Sequence, residues 1–260
     1  MVRALGVIPA RFASTRFPGK PLASLGERTL IEEVWRQVSA AKTIERVIVA
    51  TEDERIAQTC QSFGAEVRLT SPEHPSGTDR VGEVALEVSR MFDVVVNVQG
   101  DEPFVTPTSL DRLVNCFSSD NPPEIATLAE PVERVEDLMD PNVVKVVKGL
   151  DGRALYFSRS PIPYYRGGDG QDLASAIASR AEGLEGYLRH QGIYAYTMST
   201  LMALRRLRPS TLERHEGLEQ LRALQAGLRI LVLESDFRSV GVDTPADLER
   251  AVALLGETQR

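Results

Sequence analysis

Three cations stand close together near the start of the chain. The stretch "IPARFASTRFPGKPL" carries Arg11, Arg16 and Lys20, and Pro9, Pro18 and Pro21 stiffen it. Restricted backbone lowers the entropy cost of holding like charges near one another. Arginine offers forked donors, lysine a point charge, and the backbone N–H groups of such a loop add further donors, so the pattern suits a polyphosphate. The alternative is a solvated basic turn. A Walker A loop is excluded, because Ser14 stands where that motif needs glycine and Pro21 where it needs a hydroxyl.

Two carboxylates could complete such a site. Asp101 follows the valine run in "DVVVNVQGDEP", and Asp243 lies in "GVDTPADL". Taken singly, Asp101 reads as a turn residue. Asp243 alone reads as the neighbour of an N-cap, with Thr244 as cap and Pro245 first in the helix. Taken together beside phosphates, they would hold Mg²⁺, which typically takes one or two protein carboxylates plus substrate oxygens. His190, in "LRHQGIYAY", is either a hydrogen-bonded structural residue or part of a site. Arg159, after "YFS", is a hook for a substrate carboxylate or an exposed strand end. Glu213, Glu216, Glu219 and Gln220 follow helical spacing, and the last two matter only if their face turns toward a cleft.

The elements that would position these residues alternate along the first half. "ALGVI" and "RVIVAT" read as strands, and "TLIEEVWRQVSA" as a helix with Leu30, Ile31, Val34 and Val38 on one face. A helix through Ile56, Cys60 and Phe63 stops at Gly64, another is expected over 77–92, and a third over 107–117. The valine run fits a parallel strand buried on both faces. This rhythm predicts right-handed crossovers and an α/β fold with a doubly wound, mostly parallel sheet. Ligands bind such sheets beyond the carboxyl ends of the strands, so the cationic loop and "QGDEP" should share an edge.

The rhythm then changes. "NVVKVVKGLDGRALYFS" predicts a hairpin turning at Asp151-Gly152. A small, polar stretch ending at Gly186 reads as a loop with a weak helix. "GIYAYTM" predicts a strand, 211–227 one helix, "LRILVLES" a strand and "TPADLERAVALL" a closing helix. The expected organisation is one domain over 1–260 with an inserted β-rich lobe at about 143–205.

Composition narrows the partners. The formal net charge of −7 argues against nucleic-acid binding, which makes the cationic loop a local feature of an acidic chain. No apolar run reaches the length of a membrane span, and Cys60 and Cys116 lack metal-ligand spacing, so both read as reduced thiols.

The motifs "IPARFASTRFPGKPL", "SGTDR", "NVQGDEP", "ALYFSR", "RHQGIYAY", "LEQLR" and "GVDTPADLER" resemble, in order, those of 3-deoxy-D-manno-octulosonate (Kdo) cytidylyltransferases. The resemblance runs from residue 3 to about 252 and is weakest over 164–186. It implies transfer of CMP from CTP to the anomeric hydroxyl of Kdo for lipopolysaccharide biosynthesis. Pyrophosphate would be released, Mg²⁺ required, and the enzyme cytoplasmic. It also implies the nucleotide-diphospho-sugar transferase fold, with the β-rich lobe building a homodimer. Carried over by position, Pro9, Ala10, Arg11, Arg16 and Lys20 would bind the triphosphate, and Ser76, Gly77, Thr78, Arg80 and Gln99 the cytidine and ribose. Asp101 and Asp243 would ligate Mg²⁺, while Arg159, His190, Tyr194, Glu219 and Gln220 would surround the sugar acid. CMP-sialic acid synthetases share the "IPAR" start but usually continue differently. Isoprenoid cytidylyltransferases begin Ala-Ala-Gly-x-Gly, which is absent here. Kdo and its 8-amino-8-deoxy variant are not separated by these motifs. A catalytically dead homologue is disfavoured by the presence of both aspartates.

Overall fold

The computed structural model describes residues 2–14, 16–167, 172–178 and 183–258. In chain order the elements begin with β1 (Ala4–Ala10), β2 (Ser24–Leu25), β3 (Arg28–Thr29), α1 (Leu30–Ser39), β4 (Ile44–Thr51) and α2 (Glu54–Ser62). They continue with β5 (Glu66–Leu69), α3 (Gly77–Glu87), β6 (Val94–Asn97), α4 (Pro107–Asn115), β7 (Ile125–Pro131) and α5 (Val135–Met139). Next come β8 (Lys145–Lys148), β9 (Ala154–Ser158), α6 (Leu173–Ala178), β10 (Leu188–Thr197) and α7 (Met198–Leu204). The chain closes with α8 (Thr211–Glu216), α9 (Gln220–Gln225), β11 (Ile230–Glu234) and α10 (Pro245–Thr258). Two compact units result, one of Met1–Pro122, Ile193–Arg205 and Asp236–Arg260, the other of Pro123–Gly192 and Arg206–Ser235.

In the first unit β5, β4, β1 and β6 lie side by side and parallel, and Tyr194–Thr197 of β10 runs antiparallel on β6. All seven residues of β1 are buried, as expected of a central strand covered on both faces. Side-chain oxygens set the helix starts. Thr29 accepts from the Glu32 N–H, Asp53 from Arg55, Ser76 from Asp79 and Thr106 from Ser109, each satisfying an otherwise orphaned donor. The helix expected over 77–92 ends at Glu87, with Val88 as its C-cap.

In the second unit β11 pairs parallel with β7, while β8 and β9 form the expected hairpin. Leu188 and Arg189, at the start of β10, pair antiparallel with β8. The lobe boundary differs from the expected 143–205. Ile193–Arg205 belongs to the first unit because the end of β10 hydrogen-bonds to β6. Arg206–Ser235 belongs to the second because β11 pairs with β7. The single helix expected over 211–227 is two, α8 and α9. Gly217, at φ 63°, caps α8 in the left-handed conformation and ends its hydrogen-bond ladder. Of the small polar stretch, Leu173–Ala178 is the weak helix expected there, and residues 168–171 and 179–182 lie outside the described residues.

Candidate active site

The first unit places β4 on one side of β1 and β6 on the other. Connections from β1 and β6 therefore diverge, and the crevice beyond their carboxyl ends is where open α/β sheets bind ligands. The cationic loop leaves β1 there, and "QGDEP" follows β6. The segment before α10 joins them, because the Val242 N–H donates to the Asp101 carbonyl at 3.0 Å and Ser239 Oγ donates to Glu102 Oε2 at 2.7 Å. An apolar floor locks these loops together: Leu25, Leu30, Val242 and Ala251 are buried, with Phe17, Phe104 and Leu248 packed against them.

On that floor the charged groups converge. Lys20 Nζ lies 2.6 Å from Asp101 Oδ2 and 3.1 Å from Asp243 Oδ1, and Arg16 Nη2 lies 3.0 Å from Asp243 Oδ2. Burial alone would lower the Lys20 pKa. The adjacent Asp101 and Asp243 carboxylates outweigh that and hold it above the ordinary lysine value. Thr244 caps α10 as expected, and Asp247 Oδ2 accepts the N–H groups of both Asp243 (3.1 Å) and Thr244 (2.8 Å), which fixes the Asp243 backbone. Two aspartates aimed at one point are a hard oxygen donor set suited to Mg²⁺, which needs few protein ligands when phosphates supply the rest. Among the described residues no cluster of three or more His, Cys, Asp or Glu forms a fuller cage.

The "SGTDR" motif opens α3. Ser76 Oγ is engaged as the cap, accepting the Asp79 N–H at 3.1 Å and donating to Asp79 Oδ2 at 2.8 Å. A Cβ placed on Gly77 would stand 3.3 Å from Gln99 Oε1 and 3.4 Å from Pro9 Cγ, so these three predicted residues are neighbours. Gln99 Nε2 donates to Asn97 Oδ1 at 2.9 Å, and Tyr194 lies opposite Asn97 in the β10–β6 register. Thr78 and Arg80 are buried. Arg80 pairs with Glu52 at 2.7 Å and donates to the Thr70 hydroxyl. Desolvation lowers the Arg80 pKa, the carboxylates of Glu52 and Glu83 oppose this, and repulsion from Arg11 adds to the lowering. Arg11 and Arg80 thus share one electrostatic neighbourhood.

The second unit holds most of the residues assigned to the sugar acid. Arg159 Nε donates to the Glu216 carbonyl at 2.7 Å, Nη1 to the Pro141 carbonyl at 2.8 Å and Nη2 to that of Gly217 at 3.4 Å. Glu216 in turn accepts the Arg159 N–H at 2.9 Å and the Ser158 hydroxyl at 2.7 Å. A guanidinium has five N–H donors, so the fork retains capacity for a carboxylate. Beneath it Lys145, 0% exposed, donates to the carbonyls of Asp140 (2.9 Å), Val143 (2.6 Å) and Arg159 (2.5 Å). Desolvation brings its pKa down to about 8.

His190 is partly buried, 3.0 Å from Thr127 Oγ1 and edge-on to Phe157 at 4.9 Å. Desolvation lowers its pKa to about 3, so the ring is neutral at physiological pH. Because Thr127 Oγ1 donates to the Gln191 carbonyl at 3.3 Å, the ring Nε2 carries the proton in this contact. Glu219 lies 4.0 Å from Arg222, whose main partner is Glu213 at 2.5 Å, and Gln220 begins α9.

The family profile described as "Cytidylyltransferase" matches residues 5–230. The chain belongs to this cytidylyltransferase family. It is 48% identical over 255 residues to a protein of Pseudomonas fluorescens named 3-deoxy-manno-octulosonate cytidylyltransferase, covering 96% of this chain and 97% of that one. A protein of the same name from Geobacter sulfurreducens is 43% identical over 249 residues, covering 96% and 98%. Among solved structures, a CMP:2-keto-3-deoxy-manno-octonic acid synthetase complexed with CTP superimposes with a TM-score of 0.87 at 38% identity, covering 98% and 99%. A putative glucose-1-phosphate thymidylyltransferase from Bacillus anthracis, at 17% identity and TM-score 0.65 over 96% and 94%, shares the fold.

Sequence reading of this cytidylyltransferase gave no role to four residues that the structure shows at work. Glu52, Glu102, Lys145 and Glu216 all act on backbone or on another side chain, and no motif marks such contacts. Only Glu216 carried a signal, the helical spacing with Glu213 and Gln220.

Proposed function

We propose that the chain transfers CMP from CTP to the anomeric hydroxyl of 3-deoxy-manno-octulosonate, supplying an activated sugar acid for lipopolysaccharide biosynthesis. The observation that carries this reading is the convergence of Lys20, Asp101 and Asp243, with Arg16, at the switch point of the sheet. Arg11, Arg16 and Lys20, with the backbone of Pro9 and Ala10, would hold the triphosphate. Asp101 and Asp243 would hold Mg²⁺, which when bound offsets charge on the phosphate oxygens. Ser76, Gly77, Thr78, Arg80 and Gln99 would line the cytidine and ribose pocket at the start of α3.

The hydroxyl oxygen attacks the α-phosphorus as the α–β bridging bond breaks, so pyrophosphate carries away the electron pair and the hydroxyl proton is released. Charge grows on the departing pyrophosphate. Lys20 and Arg16, held at this point by Asp101 and Asp243, would turn from those carboxylates to offset it. In the same reading Arg159 would bind the carboxylate of the sugar acid, and His190, Tyr194, Glu219 and Gln220 are the residues assigned to the rest of it. The active form would be a cytoplasmic homodimer. Exposed Leu150, Leu155 and Tyr164 on the second unit support self-association, and no described helix is long and apolar enough to cross a membrane.

Purified protein should release pyrophosphate from CTP only when both the sugar acid and Mg²⁺ are present. Release with a neuraminic acid but not with 3-deoxy-manno-octulosonate would overturn the assignment. The 8-amino-8-deoxy sugar, run in parallel, separates the two remaining acceptors.

A further inference from the structure

Glu52 directly follows β4 and touches two parts of the candidate site at once. Its Oε1 accepts the Phe12 N–H at 3.2 Å, and its Oε2 lies 2.7 Å from Arg80 Nη2. The Arg80 side chain is only 6% exposed and that of Glu52 17%. Three residues after Glu52, Arg55 lays its guanidinium over the Phe12 ring, 3.4 Å from the centroid, and Asp53 holds it there at 2.6 Å. Phe12 is also where the cationic loop closes on itself. The Gly19 N–H donates to the Phe12 carbonyl at 3.0 Å, and a Cβ on Gly19 would meet the Phe12 ring at 3.1 Å. Phe12 and Gly19 are the chain neighbours of Arg11 and Lys20, so clamping the first pair aims the second.

We infer that Glu52 is a positioning residue for nucleotide binding: it fixes the cationic loop through the Phe12 backbone and neutralises Arg80, so that Arg11 and Lys20 meet the triphosphate in one arrangement. The inference rests on the reading that this loop binds CTP. Stability alone does not require such a pair, because a buried Arg–Glu pair is commonly no better than well-packed apolar residues of the same volume. What the pair supplies is a single geometry among the turn after β4, the loop after β1 and the start of α3. It also offsets the charge of Arg80, which would otherwise compete with Arg11 for the same anion.

The test is calorimetric titration of the full chain with CTP, alongside steady-state kinetics. Glu52→Ala removes both contacts, while Glu52→Gln keeps an oxygen for the Phe12 N–H and loses the charge. Losing the Phe12 N–H hydrogen bond to a charged group and the ion pair with Arg80 should raise the CTP Kd about tenfold in Glu52→Ala. A smaller rise is expected in Glu52→Gln, with KM for the sugar acid within about twofold of the parent in both. Should the alanine variant fail to fold, the glutamine variant still reads the shift in CTP affinity. Unchanged CTP affinity in a folded variant, or an equal rise in both KM values, would overturn the inference. Failure of the unmodified protein to bind CTP would instead remove the nucleotide reading on which it rests.

Discussion

Two clusters, one in each unit, use their charged side chains in opposite ways. In the first, cations meet carboxylates on half-exposed loops: Lys20 with Asp101 and Asp243, Arg16 with Asp243. In the second, cations are taken up by backbone carbonyls: Lys145 by three of them, and Arg159 by three more. The first arrangement can exchange partners with an anionic ligand at small cost, since each ion has solvent or another ion to turn to. Around Lys145 the second cannot, because a fully buried ammonium that loses its acceptors costs about 1–3 kcal/mol or more. The Lys20 cluster holds its charges ready for exchange, and the Lys145–Arg159 cluster uses them to set geometry.

This contrast can be broken, and the largest expected effect lies in the first unit. Asp101→Asn and Asp243→Asn should each lower kcat about 10²–10³-fold, the scale for removing one preorganised electrostatic group. Their side chains are 30% and 47% exposed, so circular dichroism and melting should show the fold kept. Near-normal turnover at low Mg²⁺ in either variant would end the two-carboxylate reading.

A smaller effect is expected from Arg159→Lys. A point-like ammonium cannot reproduce the planar fork, so KM for the sugar acid should rise about tenfold while CTP affinity stays level. Equal loss for both substrates would make the Arg159–Glu216 arrangement a matter of stability alone.

The smallest effect on activity concerns His190, whose role is read in stability. Its folded pKa of about 3 lies below the 6.5 of an unperturbed histidine, so between these values the unfolded chain binds a proton the folded chain does not. The contribution to stability is therefore complete above pH 6.5 and is lost as the pH falls toward 3. Melting temperature should fall more steeply over that window in the parent than in His190→Gln. Identical slopes would show that the ring does not resist protonation.

The strand-helix rhythm, the hairpin at Asp151-Gly152 and the cap at Thr244 were legible because each depends on residues near in sequence. The split of 211–227 leaves no mark in the sequence, since Gly217 can sit inside a helical pattern and declares itself only by its φ of 63°. The unit boundary at Ile193 was hidden for another reason. The strand expected over 192–198 begins earlier, at Leu188, and only pairing tells that its end belongs with β6 while its start belongs with β8.

By itself the sequence determined which chemistry was available: a stiff cationic loop, one aspartate after a strand-like run and another just before a capped helix, and an α/β order that puts the loop and Asp101 on one edge. Tertiary structure alone decided which charges meet. Lys20 lies 81 residues from Asp101 and 223 from Asp243, and Glu52 reaches Phe12 across 40. Sequence periodicity reports on neighbours within a helix or strand. Ion pairs between loops depend on the strand order and the apolar floor that bring those loops together, and no local pattern encodes either.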